Sequence, residues 1–135
     1  YTIGNDVTER DMQKSDGQWT RAKGFDSFCP LGPWIETDLP SVGLDAADLE
    51  VTCTVDGERR QHGRTSALIF GIPTLISYIS RVMTLLPGDV VLTGTPAGVG
   101  PIRAGQRVEC TIEGLGTLAN SVADADAVST AGGAR

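Results

Sequence analysis

The dipeptide Asp56-Gly57 follows residues 51–55, a run in which apolar and polar side chains alternate. Asp-Gly between two extended runs is a strong signal for a two-residue β-hairpin turn. Alternation places Val51, Cys53 and Val55 on one face of the first strand. The sequence therefore predicts a hairpin centred on residues 56–57, with a structural role.

A second hairpin is predicted nearer the other end of the chain. There, residues 107–112 and 116–120 flank a glycine-containing turn at residues 113–115. The whole chain carries 17 glycines and 7 prolines in 135 residues, which favours many turns and short strands. We therefore expect one mainly β domain, large enough to bury a core.

One amphipathic helix is predicted over residues 72–83, with Pro73 in its first turn, where proline is tolerated. Its apolar side chains recur at helical spacing, and we expect them to face the core. This apolar stripe comprises Ile72, Leu75, Ile76, Ile79, Val82, Met83 and Leu86.

Residues 89–93 are predicted to form a buried strand that runs into a glycine-rich stretch at residues 94–100. Glycines allow the backbone to approach a ligand closely. The stretch lacks the Gly-Lys-Ser/Thr of a phosphate-binding loop, so nucleotide binding is not expected. Thr95 is either a donor to a substrate carboxylate or part of a tight turn, and residues 94–100 alone leave both interpretations open.

Residues 18–35 are rich in glycine, proline and aromatic side chains and follow neither a helical nor a strand period. They predict an irregular loop held by packing, and such loops are often functional. A strand is predicted at residues 32–37. Arg21 and Lys23 are the cations of the loop, and solvated surface charge is the usual fate of such side chains.

Polar residues dominate positions 5–13, where Asp6, Arg10 and Gln13 stand at i, i+4 and i+7. On a helix these three side chains would share one face, able to hold a metal ion and a substrate carboxylate. The alternative is a strand end followed by a surface turn capped by Asn5 or Asp6. Taken alone, these residues favour the capped turn.

Charge and motifs exclude several classes of function. The formal net charge of −6 argues against a nucleic-acid partner, because phosphate binding needs a basic patch. Neither an apolar run of transmembrane length nor a signal peptide is recognisable. Cys29, Cys53 and Cys110 show no paired spacing and are expected to be reduced thiols of a cytoplasmic protein. His62 is expected to be a partly exposed loop residue.

Four stretches, in this order and spacing, together resemble the fumarylacetoacetate hydrolase family. They are residues 4–13 (GNDVTERDMQ), residues 21–26 with 30–34, residues 86–100 (LPGDVVLTGTPAGVG) and residues 112–118. The resemblance covers residues 1–122. Residues 123–135 are small and polar, and they are predicted to form a flexible tail. Residues 94–100 are most similar to a bacterial branch of acylpyruvases, oxaloacetate decarboxylases and 2-hydroxyhepta-2,4-diene-1,7-dioate isomerases.

The resemblance implies a mainly β (α+β) fold, a mixed β-roll or sandwich with one amphipathic helix. It also implies a divalent cation, Mg²⁺ or Mn²⁺, held by carboxylates. Asp6 matches one direct ligand, and Ser27 falls near a hydroxyl farther from the ion. The family's other carboxylates lie on an earlier Glu-x-Glu strand and its catalytic histidine on an earlier lid. This sequence has no Glu-x-Glu, and His62 does not match the histidine, so the chain is expected to be a C-terminal part.

The resemblance assigns catalytic and substrate-binding roles to Lys23, Arg10 and Gln13, and a substrate-binding role to Thr95. Lys23 matches a lysine beside the metal. Arg10 and Gln13 match side chains that grip the distal part of the substrate, where a guanidinium suits a carboxylate. Thr95 matches a threonine that holds the carboxylate of a 2-oxo acid.

The expected function is that of a divalent-metal-dependent enzyme acting on small 2-oxo acids through a metal-stabilised enolate. Three reactions remain open: hydrolysis of an acylpyruvate carbon–carbon bond, decarboxylation of a 2-oxo dioate, and isomerisation of a 2-oxo dioate. The resemblance implies a role in the catabolism of aromatic compounds. The expected protein is a cytoplasmic homodimer without nucleic-acid or membrane partners. The alternative is a noncatalytic truncated β module that serves as a binding or assembly scaffold.

Overall fold

The fold is described by a computed structural model, which covers residues 1–125. It is mainly β, with a four-stranded antiparallel sheet in the order β4-β3-β5-β6 and a two-stranded sheet formed by β1 and β2. The strands are β1 (Ile3–Gly4), β2 (Leu31–Gly32), β3 (Glu50–Val55), β4 (Glu58–Arg64), β5 (Arg107–Ile112) and β6 (Gly116–Ser121). The α-helices are α1 (Arg10–Ser15), α2 (Thr20–Lys23) and α3 (Ile72–Ser80), and short 3₁₀ turns span Leu39–Val42 and Thr65–Ala67.

Both predicted hairpins are confirmed. β3 and β4 pair across Asp56 and Gly57, whose φ angles of 51° and 80° are the left-handed values that a tight hairpin turn requires. β5 and β6 pair across a turn in which Gly114 has a φ of 72°. β3 also pairs with β5, so the two hairpins join into one sheet.

Two groups of buried side chains form the core. One group contains Cys53, Val55 and Val108, which confirms the predicted inward face of the first hairpin for its two buried members. The other group joins β1 to the second hairpin through Ile3, Leu39, Leu49, Leu115 and Leu118. Burying apolar area of this kind is the main stabilising term of a small domain.

The prediction for the helix at residues 72–83 is right in kind but wrong in extent and burial. α3 ends at Ser80, and none of its residues is fully buried. Beyond it, Val82, Met83 and Leu86 are well exposed. The apolar period shows that one face of the helix is apolar, but burial needs a packing partner. Within residues 1–125 this face is covered only in part, with Ile72, Leu75 and Ile79 half-buried.

The predicted strand at residues 89–93 does not form. This segment is irregular, and Val90 and Leu92 are about half exposed. An extended apolar run becomes a strand only when a neighbouring strand accepts its hydrogen bonds, and the described residues offer none here. The predicted strand at 32–37 likewise shrinks to β2, because only Leu31 and Gly32 pair with β1.

Residues 18–35 are not wholly irregular, since α2 lies within them. The prediction of a single helix was therefore wrong, because α1 and α2 are too short for a recognisable period. Most of the predicted tail at 123–135 lies outside the described residues, which end at residue 125. No helix among residues 1–125 has the length and apolar character to cross a membrane.

Candidate functional site

The polar stretch at residues 5–13 is a connection followed by a short helix. Glu9 caps α1, and its carboxylate accepts a hydrogen bond from the backbone N–H of Asp11 at 3.0 Å. The predicted capping by Asn5 or Asp6 is therefore wrong. Asp6 lies before the helix, so the single helical face proposed for Asp6, Arg10 and Gln13 does not form.

Arg10 and Gln13 do lie together, one turn apart on α1. Nη1 of Arg10 donates a hydrogen bond to Oε1 of Gln13. Arg10 is exposed and Gln13 is half-buried. The guanidinium therefore keeps donors free for a second acceptor, such as a carboxylate.

Asp6 and Lys23 form the central contact of the candidate site. Nζ of Lys23 donates a hydrogen bond to Oδ2 of Asp6 and lies 3.4 Å from Oγ1 of Thr8. The two charged side chains are 30% and 29% exposed. Because both side chains are partly buried, water and salt screen their attraction less than they would screen a fully exposed pair.

α2 places Lys23 beside Asp6. The side chain of Ala22 is fully buried, and its carbonyl oxygen accepts a hydrogen bond from the backbone N–H of Glu9 at 2.9 Å. A methyl side chain lets α2 approach the start of α1 this closely. The residue after Ala22 then faces the connection that carries Asp6.

A second link fixes α1 and α2 relative to each other. Nε and Nη2 of Arg21 donate to the two carboxylate oxygens of Asp16 at 2.9 and 2.7 Å. These hydrogen bonds hold the pKa of the Asp16 carboxyl below its ordinary value. The two helices are therefore held together at both ends, by Glu9 and Ala22 at one end and by Asp16 and Arg21 at the other.

Trp19 is a site residue that the sequence did not predict. Nζ of Lys23 lies 5.9 Å from the centroid of its ring, within the range of a cation–π contact. An open cleft of about 600 Å³ is lined by Trp19 and Lys23, together with Gly17, Gln18 and Thr20. The spacing of four residues between Trp19 and Lys23 could have revealed the pair, had the short helix been recognised.

Thr95 belongs to a separate part of the structure. It is exposed in the glycine-rich segment, which lies against β4, where Nε2 of Gln61 donates to the carbonyl oxygen of Pro96 at 2.9 Å. Gly98 has a φ of 104°, and a Cβ atom there would lie 1.9 Å from the carbonyl oxygen of Arg60. Glycine is thus required for the segment to reach the strand.

The structure brings together only some of the predicted site residues. Asp6 contacts Lys23, and Arg10 contacts Gln13. Hydrogen bonds of the described residues do not connect Thr95 to any of these four. Ser27 is exposed, with a φ of 66°, and is likewise not bonded to Asp6.

The sequence predicted a loop position for His62, and this prediction is wrong, because His62 lies on strand β4. Its Nε2 atom is 2.8 Å from Oε1 of Glu50 on β3, and both side chains are about half exposed. The pair is a surface contact of the sheet, apart from Asp6 and Lys23.

The residues present fit a divalent cation in part. The carboxylate of Asp6 is the hard oxygen donor that Mg²⁺ or Mn²⁺ prefers. Over residues 1–125, however, no three His, Cys, Asp or Glu side chains cluster closely enough to hold a metal ion. The described chain can therefore contribute one carboxylate ligand to such a centre.

Comparison with known proteins adds to this geometry. A family model described as fumarylacetoacetate (FAA) hydrolase, C-terminal, matches residues 1–123. Protein Rv2993c of Mycobacterium tuberculosis is 62% identical over 122 residues, which are 90% of this chain and 45% of that protein. The mitochondrial oxaloacetate decarboxylase of Dictyostelium discoideum is 46% identical over 121 residues, or 87% of this chain and 54% of that protein.

Among solved structures, the 2-hydroxyhepta-2,4-diene-1,7-dioate isomerase from Mycobacterium marinum matches with a TM-score of 0.85 and 62% identity. The match covers 91% of this chain and 47% of that one. The chain thus spans about half the length of the relatives it matches. This agreement of fold and sequence confirms the resemblance seen in the four stretches. The chain belongs to the fumarylacetoacetate hydrolase family and corresponds to its C-terminal domain.

Proposed function

We propose that the protein is a divalent-metal-dependent enzyme that acts on small 2-oxo acids through an enolate. The observation that carries the proposal is the partly buried pair of Asp6 and Lys23, in a chain whose relatives include an oxaloacetate decarboxylase and a 2-hydroxyhepta-2,4-diene-1,7-dioate isomerase. Oxaloacetate is a 2-oxo dioate, and a 2-hydroxy-2,4-diene-1,7-dioate is the enol form of one. Both compounds therefore have an oxygen on C2 that takes up negative charge when the enolate forms.

Asp6 is proposed as one ligand of the cation, together with ligands contributed from outside the described residues. When bound, the cation supplies Lewis-acid stabilisation of the charge that develops on substrate oxygen. Asp6 is already paired with Lys23, so its carboxylate is oriented before any ligand arrives. Outer partners of this kind both orient a metal ligand and tune its basicity.

Lys23 is proposed to place a positive charge beside the reacting end of the substrate. Its ammonium group has three donors, and Asp6 and Thr8 face it on one side. The indole of Trp19 faces it at 5.9 Å and leaves an adjoining open cleft. A donor that remains free can hydrogen-bond the developing oxyanion, which is a large term in such reactions.

Arg10 and Gln13 are proposed to bind the distal carboxylate or acyl group, and Thr95 the C1 carboxylate. The supporting feature for the first pair is an exposed guanidinium held by the Gln13 side-chain oxygen. For Thr95 it is the glycine-rich backbone, which gives a ligand close access to the loop. Ser27 is proposed to lie farther from the cation than Asp6 does and not to bind it directly.

The test uses the intact protein, stripped of metal and titrated with Mg²⁺ or Mn²⁺. Turnover is then measured on an acylpyruvate, on oxaloacetate and on a 2-hydroxy-2,4-diene dioate. We expect metal-dependent turnover of at least one of them, and the product formed identifies hydrolysis, decarboxylation or isomerisation. Absence of activity on every enolisable 2-oxo acid would overturn the proposal and favour a noncatalytic scaffold. The predicted homodimer is tested separately by light scattering.

A further inference from the structure

Two cysteines that are far apart in sequence face each other across the sheet. Cys53 on β3 and Cys110 on β5 are directly opposite in the antiparallel register, and their Sγ atoms are 3.9 Å apart. The backbone N–H of Asp56 donates to the carbonyl oxygen of Arg107 at 2.9 Å, which fixes the phase of this ladder. Hydrogen-bonded and non-hydrogen-bonded pairs alternate from there, so Cys53 and Cys110 form a non-hydrogen-bonded pair.

This position allows a covalent bond without movement of the backbone. The two Cα atoms of a non-hydrogen-bonded antiparallel pair lie about 4.5 Å apart. Disulfides bridge Cα separations of about 4.4–6.8 Å. Side-chain rotation alone can therefore bring the sulfur atoms of Cys53 and Cys110 to bonding distance.

The environment of the two thiols makes them chemically unequal. The thiol of Cys110 donates a hydrogen bond to the sulfur of Cys53, and this bond lowers the pKa of Cys53 to about 7. The same bond, together with burial, raises the pKa of Cys110. Cys53 is therefore the thiol of the pair that ionises more readily to the nucleophilic thiolate, and Cys110 is the proton donor.

The surroundings also limit what can reach the pair. Cys53 is 9% exposed and packs with Val55 and Val108, whereas Cys110 is half-buried. A small oxidant has access that a bulky one lacks. The third cysteine, Cys29, lies in the loop before β2, outside this sheet.

We propose that Cys53 and Cys110 are a redox modification site, which a peroxide oxidises to a disulfide across β3 and β5. The Cys53 thiolate attacks one peroxide oxygen, giving a sulfenic acid and, after protonation, water or an alcohol. Cys110 then attacks the Cys53 sulfur, forming the S–S bond, and its proton leaves with the hydroxide as water. The two thiols lose two electrons, which reduce the peroxide, and an added thiol reverses the oxidation.

The disulfide would join strands whose cysteines are 57 positions apart. The chain between them includes β4 and the segment that carries Thr95. Closing such a loop restricts the unfolded chain and stabilises the folded one. Oxidation would therefore fix the sheet against which the glycine-rich segment rests.

The test is a map of the cysteines after exposure of the intact protein to hydrogen peroxide. Free thiols are alkylated, and the protein is cleaved after glutamate without reduction. Glu36 and Glu50 separate Cys29 from Cys53, and Glu58 and Glu109 separate Cys53 from Cys110; trypsin would leave Cys29 and Cys53 on one peptide. We expect a linked peptide pair, lighter than the sum of its parts by two hydrogen atoms, that dithiothreitol separates.

Variants provide the controls. Cys29→Ser should keep the linked pair, and Cys110→Ser should abolish it. The denaturant midpoint should be higher for the oxidised than for the reduced protein, with no such difference in Cys110→Ser. Absence of the link, a link through Cys29, or sulfinic acid on Cys53 of the unaltered protein would overturn the proposal. Because the map of the unaltered protein decides by itself, a variant that fails to fold leaves the test intact.

Discussion

Individual side chains at the candidate site act in pairs. Asp6 is paired with Lys23 and Arg10 with Gln13, and each pair lies on a connection or a one- to two-turn helix. The residue types and their order were recognisable in the sequence, but their pairing was not. Helical spacing placed Asp6 with Arg10, whereas the chain turns between them and brings Asp6 to Lys23.

Replacement of Asp6 tests its role at this scale. Asp6→Ala is expected to abolish metal-dependent turnover of the intact protein, because it removes a proposed ligand. The free energy of unfolding should change by less than about 1 kcal/mol, since partly exposed ion pairs contribute little. Asp11→Ala, which removes a fully solvated carboxylate nearby, is the matched control and should retain activity. Loss of folding in Asp6→Ala would instead indicate a structural role.

Helices, strands and loops differ in how far the sequence predicts them. The hairpins were predictable because the information is local: Asp56 and Gly57 specify their own turn. The strand expected at residues 89–93 was not, because a strand depends on a partner elsewhere. α2 was missed because four residues are too few to show a period, although they place both Trp19 and Lys23.

The glycine-rich segment allows a test at the scale of one element. Gly98→Ala is expected to destabilise the protein by about 1–3 kcal/mol, because the added methyl meets the carbonyl oxygen of Arg60 and the φ of 104° is strained for alanine. The denaturant midpoint of the intact protein measures this. Gly100→Ala is the control, since nothing lies within 4 Å of its Cβ position, and it should change stability by less than about 0.5 kcal/mol. Equal effects would show that the segment does not press on β4.

Across the whole molecule, one group of buried side chains connects the site to the sheet. Ile3, which is 1% exposed, lies three residues before Asp6 and packs with Leu115 and Leu118 of the second hairpin. The mainly β fold followed from the sequence and its family resemblance. The exposure of the apolar face of α3 did not, because a sequence pattern shows which face is apolar and not what covers it.

Truncation of Ile3 tests this connection. Ile3→Ala is expected to lower the free energy of unfolding by about 2–5 kcal/mol, through lost burial and the cavity that remains. Ile3→Val should cost only about 0.5–1.5 kcal/mol, because it removes a single methyl group. Both values come from urea unfolding of the intact protein. Similar, small losses for the two variants would contradict a core position for Ile3.

The close approach of β1 to residue 92 has a consequence for how the family can vary. A Cβ atom on Gly4 would lie 2.8 Å from Cδ2 of Leu92 and 3.1 Å from Cδ2 of Leu31. Alanine at position 4 is therefore compatible with a shorter or displaced side chain at position 92, and glycine with the present leucine. Because Cδ2 is the flexible end of a side chain that is 45% exposed, an alanine at position 4 should turn Leu92 outward, and a shorter residue at position 92 should accept that alanine without any movement.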